Sequence, residues 1–275
     1  MRYSKRNKRI GIIGLGNMGG AVMRGLARTR SGGAGAGALA GYDCDPAKAR
    51  AAGRIARVKA FSSAAELARL SDIVVIAVKP KDFAQAAREV SAHAKGKLFI
   101  TIAAGIRTGT AEKLIGGRAR VVRVMPNTPA LIGEGISAIC GGRYATPTDV
   151  AAARRIFSSV GETVVLDERH FDLVTAVSGS GPAYFFYLKE ALMEAAAQMG
   201  LGRDMARRLV SRTALGAAKL LIETGHEPGV LRGQVTSKGG TTEQAIKVFE
   251  KAGFKRTVRK AVAAAVKRSR QLSGG

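Results

Sequence analysis

Short apolar runs recur along the first half of the chain, each bounded by glycine, proline or charged residues. Ile10-Gly11-Ile12-Ile13 predicts a buried strand, followed by a glycine turn over residues 14–19 and a helix over Ala21–Arg28. The Gly/Ala-rich stretch Ser31–Gly41 reads as a loop that gives way to a second strand over Leu39–Asp43, and Pro46–Arg50 opens another helix. Ile73–Val78 is apolar at every position, as expected of a strand covered on both faces. Lys97–Ile102 and Arg120–Met125 add two more strands. Strands alternating with helices predict an α/β domain with a doubly wound parallel sheet. Beyond about Asp167 the period changes to that of helices. Pro182 sits at a helix start, and Tyr184, Leu188, Leu192, Ala195 and Met199 recur at helical spacing until Gly200. Met205–Thr224 closes at Gly225, Thr242–Lys251 closes at Gly253, and Thr257–Gln271 forms a last helix. The expected organisation is an α/β domain over 1–167 and an all-α domain over 168–275. The second is rich in small residues that let helices approach closely, which suits dimerisation.

Composition agrees with two domains, since 275 residues at ~150 per domain leaves room for two cores. No apolar run approaches the ~18 residues of a membrane span, and no leader pattern precedes the first strand. A cytoplasmic protein that avoids membranes is expected. Cys44 and Cys140 have no metal-ligand spacing, and His93, His170 and His226 lie far apart, so no metal site is expected. The charge is lopsided, with 45 Lys and Arg against 20 Asp and Glu. A sequence pI near 10.9 raises the prospect of a nucleic-acid binder. Yet Trp is absent, and the basic residues fall on helix faces such as Arg203, Arg207, Arg208 and Arg212, or Lys255, Arg256, Arg259, Lys260, Lys267 and Arg268. The charge reads as a solvated surface, with no specific nucleic-acid partner.

Gly14-Leu15-Gly16-Asn17-Met18-Gly19 is the sharpest motif. It follows a strand and opens a helix, the context that the dinucleotide-binding Rossmann fingerprint requires. Gly14 serves the tight turn, Gly16 lets backbone approach a pyrophosphate, and Gly19 lets helix and strand pack closely. Asp43 ends the second strand, where an acid binds the adenosine ribose and repels a 2′-phosphate, favouring NADH over NADPH. Ala77-Val78-Lys79-Pro80 and Ala103-Ala104-Gly105 follow two further strands, at the sheet edge where ligands bind. Lys79 fits either a cofactor contact or an ordinary solvated lysine. Asn127 stands between Pro126 and Pro129 in a rigid loop that suits a place near the nicotinamide. In Val235–Gln244, two glycines precede a helix, and Thr241 with Gln244 has capping-box spacing. A plain helix cap and an anion site both fit this start. Ser178–Tyr184 places serine and glycine before a helix, but Ser178 occupies the place where a G-x-S-x-G hydrolase needs glycine.

Together the segments 14–19, 77–80, 125–131, 178–184 and 237–242 resemble pyrroline-5-carboxylate reductases, nearly end to end. The SGSGPAY and S-x-GGTT segments carry the likeness most specifically. The resemblance implies an N-terminal Rossmann domain and a helical domain that interlocks in a homodimer, with pentamers of dimers in some members. It implies reduction of L-1-pyrroline-5-carboxylate to L-proline by NAD(P)H, the last step of proline biosynthesis. Carried over by position, the substrate carboxylate meets backbone N–H groups around Gly240, Thr241 and Thr242, and Thr242 presents its hydroxyl to the ring nitrogen. Glu168, Ser178, Gln234 and Ser237 fall on substrate-site positions, and Ala103–Gly105 lines the cofactor. Lys238 stands in place of a frequent proline, and Gly233 in place of a frequent aspartate. Reducing a protonated imine needs a hydride and a held substrate more than a His or Cys centre, which suits this chain. Two other readings compete. A β-hydroxyacid dehydrogenase shares the G-L-G-x-M-G start, but it needs a lysine–asparagine pair, and no asparagine occurs after Asn127. A basic nucleic-acid-binding protein on a Rossmann scaffold would show steep salt dependence without NAD(P)H oxidation.

Overall fold

The structure is a computed structural model that describes residues 8–28 and 36–274. Contacts divide the chain into two compact units, one running to Ser180 and including Ala265 onward, the other Gly181–Ala264.

The first unit is built on one eight-stranded sheet. Its strands are β1 (Lys8–Ile13), β2 (Ala36–Tyr42), β3 (Val58–Ala60), β4 (Ile73–Ile76), β5 (Leu98–Thr101), β6 (Arg120–Met125), β7 (Gly135–Gly141) and β8 (Gly161–Val165). They lie in the order β3-β2-β1-β4-β5-β6-β7-β8, and every pair is parallel except the antiparallel β6–β7. The first six strands reproduce the order of a dinucleotide-binding sheet, with its switch point between β1 and β4.

Helices α1 (Asn17–Arg28), α2 (Pro46–Gly53), α3 (Ala64–Leu70), α4 (Pro80–Ser91), α5 (Thr108–Gly116) and α6 (Pro147–Phe157) cover both faces. Alternate strand residues divide between two apolar layers. Ile10, Ile12, Val75, Ile100 and Val122 meet Met23, Leu26, Ile156 and Phe157 on one face. Ile13, Val74, Ile76, Phe99 and Val121 meet Leu67, Phe83, Val90 and Ile115 on the other. Local chemistry sets the helix starts. Asp45 caps α2 by accepting the Ala47 N–H, Ser63 caps α3, and Thr146 with Asp149 forms a full capping box on α6.

After β8 come α7 (Phe171–Val174) and a π-turn over Thr175–Gly179, in which the Ser180 N–H reaches back to the Thr175 carbonyl at 2.8 Å. The second unit holds α8 (Gly181–Gln198), α9 (Arg203–Thr224), α10 (Pro228–Gln234), α11 (Thr241–Lys251) and the start of α12 (Phe254–Leu272). Gly225, at φ +64°, ends α9 in the left-handed conformation expected of a helix stop.

The sheet departs from expectation in three places. Strand β2 begins at Ala36, so the Gly/Ala stretch read as loop is strand from there on, while residues 31–35 lie outside the described residues. Strands β3, β7 and β8 and helix α10 carry no strong period and were not expected. The antiparallel β7 makes the sheet mostly rather than wholly parallel.

Two cysteines report the packing directly. Cys44 is exposed, whereas Cys140 is buried beside Phe171. Burial, with the nearby Glu168 charge, pushes the Cys140 thiol up to about 12. Since the thiolate is the nucleophile, Ellman's reagent at pH 8 should modify one thiol of the native protein rapidly and the second only after unfolding. Equal rapid modification of both would contradict this packing.

Candidate functional site

The carboxyl edge of the sheet gathers three of the predicted segments. Ile13, Ile76 and Thr101 are register partners across β1, β4 and β5. The ladder continues past the strand ends, from the Ala77 N–H to the Ile13 carbonyl (2.7 Å) and from the Ile102 N–H to the Ile76 carbonyl (3.2 Å). The segments Gly14–Gly19, Ala77–Pro80 and Ala103–Gly105 therefore stand side by side above the switch point.

Each fingerprint glycine meets a different steric demand. Gly14 has φ +89°, and a β-carbon there would stand 2.7 Å from the Ala77 carbonyl oxygen. A β-carbon at Gly19 would overlap the Gly14 carbonyl oxygen, whereas nothing lies within 4 Å of one at Gly16. Gly16 and Asn17 face solvent, Met18 is half-buried, and Leu15 is buried beneath them. The first helical bond of α1 runs from the Gly20 N–H to the Gly16 carbonyl (2.8 Å), so the N–H groups of Asn17, Met18 and Gly19 precede it. This is an open helix start of the kind that takes a diphosphate.

Asp43 follows β2 directly. Its carboxylate accepts the Leu15 N–H at 2.6 Å and the Asp45 N–H at 2.9 Å, which ties the glycine loop to the end of β2. The ammonium of Lys48 lies 3.5 Å from Asp45 and so has a carboxylate partner of its own. Lys79 is exposed at the N-cap of α4, with Pro80 beginning the helix.

Three predicted residues prove to be engaged in internal bonds. Asn127 accepts the Ile136 N–H at 2.9 Å and donates to the Ser178 hydroxyl at 3.4 Å, so its amide braces β7 against the π-turn. Ser178 is that bond's acceptor. Glu168 accepts from the N–H (2.8 Å) and hydroxyl (2.7 Å) of Thr108 and pairs with buried Arg123 (3.1 Å). The Arg123 guanidinium also lies over the Phe171 ring, 4.8 Å from its centroid. Sequence reasoning missed this arginine, because a basic residue inside an apolar strand pattern gives no hint of its partner 45 positions away.

In the second unit, the turn before α11 gathers the other predicted residues. The N-cap is Gly240, and Glu243 turns back to accept the Gly239 N–H at 2.9 Å. The expected Thr241–Gln244 capping box is therefore absent, because the helix begins one residue early and Glu243 holds the third position. The Gly239 N–H, and after it Lys247, keep the Glu243 carboxyl below the usual carboxylate range, so it stays charged at neutral pH. The first helical bond of α11 joins the Gln244 N–H to the Gly240 carbonyl (3.3 Å), leaving the N–H groups of Thr241, Thr242 and Glu243 ahead of it. Among the described residues, the hydroxyls of Ser237, Thr241 and Thr242 make no hydrogen bond. Gln234 is exposed at the end of α10. No group of three or more metal-ligating side chains occurs among the described residues.

Comparison with known proteins places both units. Residues 168–272 match the family "Pyrroline-5-carboxylate reductase dimerisation", and residues 9–105 match "NADP oxidoreductase coenzyme F420-dependent". A pyrroline-5-carboxylate reductase of Arabidopsis thaliana is 43% identical over 78% of this chain and 78% of its own length. The solved structure of a pyrroline-5-carboxylate reductase from Coxiella burnetii is 34% identical, covers 98% of this chain and 99% of its own, and superposes with a TM-score of 0.90. The enzyme of Plasmodium falciparum, solved with NADP bound, is 32% identical over 98% of this chain and 100% of its own, with a TM-score of 0.85. The chain belongs to the pyrroline-5-carboxylate reductase family, NAD(P)H-dependent oxidoreductases that reduce L-1-pyrroline-5-carboxylate to L-proline.

Proposed function

We propose that this chain performs the family's reduction with two helix starts of the same construction, the α1 start for the dinucleotide and the α11 start for the substrate. Residues 1–167 hold the cofactor; residues 168–275 hold the substrate and a second copy of the chain. The observation that carries this reading is the α11 start, where backbone N–H groups and two threonine hydroxyls have no acceptor or donor among the described residues.

The cofactor fits the first of these. Gly14 and Gly19 admit no side chain, Gly16 leaves backbone open, and the α1 start offers N–H groups to a diphosphate. NADP in the Plasmodium falciparum enzyme supports a nicotinamide dinucleotide here. Leu15, Asn17 and Met18 complete that loop, while Ala77–Pro80, Ala103–Gly105 and the Asn127 loop border it. The bound nicotinamide supplies the hydride.

The residues of the α11 turn hold and polarise the imine. The N–H groups of Thr241 and Thr242, reached past Gly240, receive the substrate carboxylate, assisted by the positive end of the helix. Ser237 and Gln234 border the ring, and Ser178 and Glu168 act as braces rather than direct ligands. Thr242 Oγ1 hydrogen-bonds the ring nitrogen, which becomes an amine when hydride arrives at the neighbouring carbon. The imine is protonated before transfer, so positioning and a hydrogen bond to nitrogen suffice, with no side-chain nucleophile.

Asp43 supports NADH as the preferred donor. A 2′-phosphate would meet its carboxylate, and Lys48 is engaged by Asp45. The helical unit supports assembly with a second copy. Helix α8 buries only Gly181, and Phe185, Phe186 and Tyr187 are 61–75% exposed. A helix apolar on this scale is stable only when covered. A dimer is the assembly proposed, in the cytoplasm; among the described residues no helix is long and apolar enough to cross a membrane.

Three outcomes check this reading. Thr242→Ala should lower kcat by ~10–100-fold, the scale of a lost hydrogen bond at the reacting centre, with Thr242→Ser recovering most of it; an unchanged kcat would remove Thr242 from the chemistry. Steady-state kinetics should give NADH the higher kcat/KM, and Asp43→Asn should narrow the gap by about tenfold, the equivalent of ~1.4 kcal/mol; wild-type preference for NADPH would refute the role of Asp43. Sedimentation should show a dimer or larger assembly that Phe186→Glu disrupts, whereas a monomeric, fully active wild type would contradict the proposed interface.

A further inference from the structure

The last turn of α12 belongs to the first unit, and it lies against the segment that carries Ala103–Gly105. Gly105 has φ +78°, and a β-carbon there would stand 2.8 Å from the Leu272 carbonyl oxygen and 3.0 Å from its carbon. The contact is backbone against backbone, so the segment cannot shift toward α12 without displacing it. The α12 turn is itself fixed. Ser269 is 4% exposed and donates its hydroxyl to Asp172 Oδ1 at 2.7 Å, across 97 positions of sequence. Ser269 is the one buried polar residue of this helix, and burial of a hydroxyl demands such a partner.

Asp172 lies on α7, which begins with Phe171, three residues after Glu168. Glu168 holds the other end of the same segment through the N–H and hydroxyl of Thr108. The stretch from Thr101 to Thr108 is therefore gripped at two points from the neighbouring run Glu168–Asp172. Glu168 fixes its exit directly, and Asp172 fixes its centre by way of Ser269 and Leu272.

We propose that Asp172, Ser269 and the final turn of α12 are positioning residues for hydride transfer, acting by holding the Ala103–Gly105 segment at the nicotinamide. This rests on the proposed cofactor site: with Asp43 after β2 at the adenosine ribose, the segment after β5, two strands from β1 on the side away from β2, lies toward the nicotinamide. The carboxylate–hydroxyl bond does not touch the dinucleotide; it sets the place of a backbone that does. A displacement of about 1 Å in such a segment is enough to change a transfer rate severalfold or more.

The test compares Ser269→Ala, Asp172→Ala and Asp172→Asn with the wild type, using NADH and ADP-ribose as probes. Ser269→Ala and Asp172→Ala should each lower kcat/KM for NADH about three- to tenfold, and the double variant should be no worse than either, as for two ends of one bond. Asp172→Asn, whose amide oxygen still accepts from Ser269, should stay near wild type. The Kd for ADP-ribose, which lacks the nicotinamide, should not move in any variant. Unchanged NADH kinetics with a lowered Tm would reduce the bond to a staple and overturn the proposal, as would an equal loss of ADP-ribose binding. If Asp172→Ala does not fold, Ser269→Ala against Ser269→Thr decides the same question. Ala104→Leu separates the underlying assignment: if it too leaves NADH binding and bound-NADH fluorescence unchanged, the segment is not at the nicotinamide, whereas a change there with none in Ser269→Ala defeats only the clamp.

Discussion

Close approach between two backbones at Gly14 is the constraint on which the rest of the proposed dinucleotide site depends. The chain leaves β1 in a conformation that an L side chain rarely adopts, against the Ala77 carbonyl at the end of β4. That approach lets the loop turn tightly enough for α1 to begin above the switch point. The Asp43 carboxylate then fastens the loop from the other side by taking the Leu15 N–H. With two neighbours fixing it, the helix start is preorganised for an anion before any ligand arrives. A similar arrangement holds at α11, where Glu243 folds back on Gly239 and the N–H groups of the first turn precede the first helical bond. In both places a short stretch of glycine exposes backbone donors, and a carboxylate holds the loop that carries them.

The sequence was most legible where chemistry is local. Gly14 and Gly19 make the close contacts that spacing foretold, because a strand, a tight turn and a helix leave few alternatives, and Gly16 leaves its backbone open. The strand Ile73–Ile76 stood out because an apolar run buried on both faces has no polar interruption, and Arg120–Met125 kept enough valine around Arg123 to be read as strand. By contrast, β2 begins inside a glycine–alanine stretch whose strand character comes from pairing with β1 and β3. Strands β7 and β8 extend the sheet beyond the usual six, and nothing in their short runs marks them. The α11 cap was misplaced by one residue, since Thr241 and Gly240 both suit a helix start and only the fold decides between them.

Long-range polar pairs were the least legible. Glu168 falls on a substrate-site position by resemblance, and in the structure it pairs with Arg123 and accepts from the first N–H of α5. Burying an arginine without its carboxylate would be strongly unfavourable, so the pair acts as a unit that no local pattern reveals. Asn127 is similar, its amide divided between the Ile136 N–H and Ser178. These bonds join the loops after β6 to the start of the helical region. They explain why residues near the site need not touch a ligand to matter. The helical unit shows the opposite situation. Its aromatic and aliphatic residues have the helical spacing that the sequence displays, but Phe185, Phe186 and Tyr187 remain exposed among the described residues. Amphipathic patterning identifies the face to be buried and is silent about whether the same chain or another buries it.

The central claim is hydride transfer from a nicotinamide to the imine carbon of a cyclic imino acid. Its most direct measurement is transfer from NADH or NADPH carrying deuterium at C4 on the donated face, with L-1-pyrroline-5-carboxylate as acceptor and proline analysed by mass spectrometry and NMR. One deuterium at C5 of L-proline for each nicotinamide oxidised is the expected result. Proline without label, or no oxidation of either nicotinamide in the presence of the imine, would contradict the account.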